Sequence, residues 1–76
     1  MRDLTSLPTG QSGRVLCLRA GMGRRLMDLG FTPGALAACV LAAPGDEMRA
    51  YRVRGAVIAL RRREAQTVIL EEDNHE

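Results

Sequence analysis

The chain has 76 residues, 46% of them hydrophobic and 26% charged, with a formal net charge of +2. A compact domain rarely holds fewer than about 50 residues, so this is one domain, and it buries only about 60% of its unfolded surface, too little for a deep substrate pocket. All eleven positive side chains are Arg, which excludes Lys-based phosphate binding, Schiff-base chemistry and any Lys general base.

From the start, Met1-Arg2-Asp3-Leu4 lacks the apolar core of a secretory signal, and no run approaches the ~20 apolar residues of a membrane span. A cytoplasmic, reduced protein is expected, with no direct membrane insertion. Leu4 and Leu7 precede a turn-rich stretch from Pro8 to Gly13, in which Gly10 and Gly13 read as plain turn residues for want of a following helix or Lys. Arg14 to Arg19 is the first predicted strand. Val15 and Cys17 alternate there with Leu16 and Leu18, so both faces are apolar and polarity alone leaves the register open. Cys17 and Cys39 are neither a C-x-x-C pair nor part of a Cys/His cluster with zinc spacing, and in a reducing compartment they read as small core hydrophobes.

A short helix follows Gly21-Met22-Gly23, with Met22, Leu26 and Leu29 on one face and Gly30 as its cap. Arg24 and Arg25 open that helix, where the macrodipole disfavours positive charge by a few tenths of about 1 kcal/mol. They either snorkel into solvent or serve a contact. Thr32-Pro33-Gly34-Ala35 matches a type II turn, Pro fixing its second φ and Gly supplying a positive third. Ala35 to Ala43 is the second strand, closed by Pro44-Gly45-Asp46. Ala50 to Arg54 alternates strictly, Tyr51 and Val53 inward and Arg52 and Arg54 outward. Gly55 and Ala56 link it to Val57–Leu60, with Ile58 and Leu60 inward. Arg61 to Ala65 reads as one helical turn, and Thr67 to Leu70 as the last strand, with Val68 and Leu70 inward. About five short strands and one real helix make a mainly β domain over residues 1–70.

Residues 71–76 form an acidic C-terminal tail expected to be disordered. Glu71, Glu72, Asp73 and Glu76 fall there, leaving residues 1–70 with eleven Arg against five acids, a balance of +6. The sole His, His75, lies in the tail, a poor place for a catalytic imidazole. Its sharper reading is a weak divalent-metal site built from Asp73, His75 and Glu76. Phe31 and Tyr51 are the only aromatics, too few for a base-stacking platform or a Pro-rich peptide groove.

The run Arg24-Arg25-Leu26-Met27-Asp28-Leu29-Gly30-Phe31-Thr32-Pro33-Gly34 resembles the R-L-x-x-L-G-x-x-P-G signature of the FeoA family, small cytosolic accessory proteins of bacterial ferrous iron transport. Ala43-Pro44-Gly45-Asp46 and Tyr51-Arg52-Val53-Arg54-Gly55 are similar to its A-P-x-G-D-P and I-x-V-R-G elements, one loop residue shorter. Ile58-Ala59-Leu60-Arg61 with Glu64-Ala65 resembles its closing I-A-L-R-x-x-E-A. The resemblance implies an SH3-like small β-barrel with the helix over one opening, in which Gly30, Pro33, Gly34 and Gly55 are structural turn residues. It also implies that Ala37, Cys39 and Val68 point inward, which would leave Leu36, Val40 and Ile69 as an exposed apolar strip.

The family's implied role is assistance to FeoB, the membrane GTPase that conducts Fe²⁺, without catalysis, cofactor or resident metal. Arg24, Arg25, Leu36, Arg52, Arg54 and Arg61 are the candidate partner-binding residues. The alternative is a small-barrel nucleic-acid-binding protein using the same arginine-rich surface. Oligomeric state is left open, a homo-oligomer included.

Overall fold

Alternating apolar residues broken by glycine turns fold here as a six-stranded antiparallel sheet. The computed structural model describes residues 2–19, 21 and 23–72. The strands are β1 (Arg2–Asp3), β2 (Ser12–Leu18), β3 (Leu36–Ala42), β4 (Met48–Val53), β5 (Ala56–Arg61) and β6 (Val68–Leu70). Two short helices, α1 (Gly23–Asp28) and α2 (Arg62–Ala65), and 3-10 turns at Leu4–Ser6 and Pro44–Asp46 complete the chain. The fold is mainly β, as expected, with one strand more than predicted. Two-residue β1 carries too short a pattern to be read from sequence; it pairs with β6 through Arg2–Leu70 and Asp3–Ile69.

Strand order is β1-β6-β2-β3-β4-β5, with β1 and β5 as edges. β2 changes partner midway: Ser12 to Arg14 pair with β3, and Val15 to Leu18 pair with β6. The sheet therefore turns at Val15 and wraps one core, to which Leu4, Leu26, Phe31, Tyr51, Leu60 and Leu70 contribute fully buried side chains.

The segment after α1 shows why its sequence is so restricted. The Phe31 amide bonds the Leu26 carbonyl at 3.0 Å and the Gly30 amide bonds that of Met27 at 3.0 Å, with Gly30 at φ 117. This is a Schellman stop, and its accompanying apolar contact is between buried Leu26 and Phe31. The predicted turn follows at once, the Ala35 amide on the Thr32 carbonyl at 2.9 Å and Gly34 at φ 90. Leu26 is buried and Leu29 packs against the core, as the helix face requires; Met22 lies outside the described residues. Between β4 and β5 a two-residue turn places Arg54 at φ 50 and Gly55 at φ 81, the combination that matches strand twist in a tight hairpin.

Two expectations about faces are corrected. Cys39 is buried, but Cys17 is exposed. A register shift between Val15 and Cys17 in the β2–β6 pairing interrupts the alternation, so Val15 enters the core and Cys17 does not follow it. Ile69 is only 2% exposed, so it cannot belong to an outer strip. It sits on the middle strand of three, opposite Asp3 on one side and Cys17 on the other, and with both flanks covered all three residues of β6 are buried.

Candidate functional site

One end of the core is closed by polar residues that sequence reading did not single out. Arg49 precedes Tyr51 by two positions on β4 and so shares its inward face. Its side chain is only 13% exposed. Nε donates to Asp46 Oδ1 at 2.7 Å, and Nη1 donates to the Leu7 carbonyl at 2.6 Å. Asp46, at φ 62 in the turn after β3, also pairs with Arg62 of α2 through its other oxygen. The hydrogen bond from Arg49 is the main reason its carboxyl is held below the usual carboxylate range, with Arg62 adding to it. Beside them Tyr51 is fully buried, and its hydroxyl donates to the Leu4 carbonyl at 3.1 Å. Burial pushes that phenol up to about 12. The signal was present in the alternation that places Arg49 with Tyr51 and Val53, but a strand begun at Ala50 omits it.

The six predicted contact residues fall into two places. At the α1 corner, Arg25 pairs with Glu64 of α2, whose other oxygen accepts the Arg61 amide at 2.9 Å and caps that helix. Arg54 turns back from the β4–β5 turn to Thr32 Oγ1 at 2.8 Å. Arg24 is exposed and has no hydrogen bond or ion pair with a described residue. It borders a groove of about 610 Å³ whose lining includes Cys17, Leu18 and Met27.

Leu36, Arg52 and Arg61 lie instead on the outer face of β3–β5. Cross-strand register aligns Ala38, Arg52 and Val57 in one row, Leu41, Ala50 and Ala59 in the next, and Met48 with Arg61 beyond. Leu36 faces Arg14 at the β2 side. Leu36, Leu41 and Val57 are 51%, 62% and 55% exposed, so an apolar outer face exists; of the predicted strip Leu36 belongs to it, Val40 is half-buried and Ile69 is buried. Leu41 joins the outer face because a register shift between Cys39 and Leu41 places Leu41 across from outward Ala50. Arg52 and Arg61 make no side-chain hydrogen bond or ion pair with a described residue, and none of these strand positions is a carboxylate.

Asp73, His75 and Glu76 lie outside the described residues. Among the described residues no group of three or more His, Cys, Asp or Glu side chains could hold a metal ion, and no helix is long and apolar enough to cross a membrane. The geometry offers surfaces and a pinned core end, without a converging catalytic constellation among the described residues.

The FeoA domain model matches residues 2–72. No curated protein gives a match. Among solved structures, the zinc-complexed FeoA of Stenotrophomonas maltophilia, a prokaryotic SH3-domain protein described as a candidate ferrous iron transport activating factor, is 30% identical. It superposes with a TM-score of 0.84 over 93% of this chain and 91% of its own. FeoA of Chlorobium tepidum is 31% identical, with a TM-score of 0.81 over 96% of this chain and 74% of its own. The FeoA-like protein of Clostridium acetobutylicum is 25% identical, with a TM-score of 0.80 over 97% and 92%. With a family model matched over residues 2–72 and the same fold shared over nearly its whole length, the chain belongs to the FeoA family.

Proposed function

We propose that this chain is a non-catalytic, cytoplasmic accessory part of bacterial ferrous iron transport that acts by contacting the cytosolic GTP-binding portion of a FeoB-type membrane transporter. Membership of the FeoA family over residues 2–72 is the observation that carries this reading. Solvent-facing arginines that the fold does not use, Arg24, Arg52 and Arg61, support it, because an accessory protein acts through its surface. Iron is the transporter's cargo and requires no resident site in this chain.

The same arginines favour a second reading, nucleic-acid binding. Both aromatics weigh against it, since Phe31 and Tyr51 are each 0% exposed and offer no stacking platform. The test is binding of the purified FeoB cytosolic portion, with iron uptake in a deletion strain complemented by wild type or by Arg24→Glu. Arg24 is the cleaner probe of α1 because Arg25 is engaged with Glu64. Binding and uptake restored by wild type and lost in the variant support the reading. No binding by wild type, with retention of RNA at low salt, transfers it to nucleic acid.

A further inference from the structure

The outer face of β3–β5 ends at an open edge, and the two features together define what would fit there. Val53 and Ala56 close a two-residue hairpin, so Ala56, Ile58 and Leu60 exchange backbone hydrogen bonds with β4, while the amides and carbonyls of Val57 and Ala59 point away from it. The Arg61 amide points the same way and is taken by Glu64, as this phase requires. Val57 and Ala59 therefore present two donors and two acceptors on the edge of the sheet, and both residues are exposed. An open edge of this kind is a template for another strand.

Side chains around the edge set the chemistry of that strand. On the inner face of the edge, half-buried Ile58 packs against the core and offers apolar contact, and on the outer face Arg52 and Arg61 flank the Val57–Ala59 segment with guanidinium groups that meet no described carboxylate. A second copy of this chain would bring arginine against arginine on a face with no acidic strand position. An acidic partner would complete both pairs. We propose that β5 receives an extended segment of a partner protein, alternating acidic and apolar residues, added as a further strand at Val57 and Ala59 with its carboxylates on Arg52 and Arg61. This rests on the reading of the chain as a contact module and adds to it a contact on β5, beside the one probed at Arg24 on α1.

The test is a nuclear magnetic resonance titration of the isotope-labelled protein with a capped, soluble peptide alternating Glu with Val and Leu, beside a matched peptide carrying Arg in place of Glu. A parallel titration uses the FeoB cytosolic portion. The acidic peptide should shift the Val57 and Ala59 amides and slow their hydrogen exchange. Arg52→Glu/Arg61→Glu should weaken it about tenfold or more, because two charge-assisted contacts become repulsive. The variant removes no side-chain hydrogen bond or ion pair between described residues, so its spectrum should otherwise match wild type. The proposal is overturned by unmoved Val57 and Ala59 amides at millimolar acidic peptide, by equal binding of the Arg peptide, by an oligonucleotide occupying the same amides more tightly, or by a self-association that Val57→Glu abolishes. If FeoB binds wild type and the double variant equally, the FeoB reading stands and this face is wrong. If the acidic peptide binds and FeoB does not, the face stands and the FeoB reading fails.

Discussion

Arg49 and Arg52 lie three positions apart on one strand and have opposite fates. Arg49 is in phase with Tyr51, enters the closed end of the core, and has both ends of its guanidinium occupied, by Asp46 and by the Leu7 carbonyl. Arg52 is out of phase, stands on the outer face between Ala38 and Val57, and meets no acid among the described residues. The comparison teaches that the positive excess of this domain is two populations: arginines that hold the fold together and arginines the fold does not need.

The comparison can be broken first at its stabilising end. Arg49→Met should strand the Leu7 carbonyl and remove a partner from Asp46, costing about 1–3 kcal/mol in urea unfolding. A loss within about 0.5 kcal/mol, the range of ordinary surface changes, would place Arg49 with Arg52 instead. Tyr51→Phe should cost less, about 0.5–1.5 kcal/mol, because it removes one hydrogen bond while the Leu4 carbonyl still accepts the Leu7 amide at 3.2 Å. Tyr51 also provides a pH signature, since burial raises its folded pKa from the ordinary phenol value of 10.0 to about 12. Its contribution to stability is complete below the unfolded value and is lost as pH rises through the folded one. Ultraviolet titration of this single tyrosine should therefore show a midpoint near the upper value in the folded protein.

Asp46 predicts the opposite pH dependence with a smaller effect. Its folded pKa lies below 3.8, so its contribution is present above that value and disappears as pH falls through the folded pKa. Asp46→Asn, which tolerates the positive φ at this site, should flatten the acid limb of the stability profile. An unchanged acid limb would remove the Arg49–Asp46–Arg62 cluster as its source. The smallest change in stability is expected for Arg52→Met, within about 0.5 kcal/mol of wild type.

How much was readable in advance follows the same physics. Gly30, Pro33, Gly34 and Gly55 were legible because each satisfies a local backbone demand that few residues meet, and the structure places a helix stop, a turn and a hairpin where they stand. Inner and outer positions of β4 and β5 were legible because their alternation is unbroken. Faces after a register shift were not. Cys17 left the core and Leu41 joined the outer face where β2 and β3 each slip register against a neighbour, and an apolar run contains no mark of the slip. Ile69 was misplaced because burial of a short middle strand depends on both neighbours, one of them the two-residue β1. Of the contact candidates, Arg24, Arg52, Arg61 and Leu36 are free surface, whereas Arg25 and Arg54 also serve the fold.

The central claim is that the arginines unused by the fold are the ones used for contact. Isothermal titration of the FeoB cytosolic portion with wild type, Arg24→Glu and Arg52→Glu/Arg61→Glu, at low and at raised salt, tests it most directly. Salt-sensitive binding to wild type, weakened about tenfold or more when the outer-face pair is reversed while the unfolding midpoint stays put, is the predicted result. Equal affinity for all three proteins at both salt concentrations would contradict it.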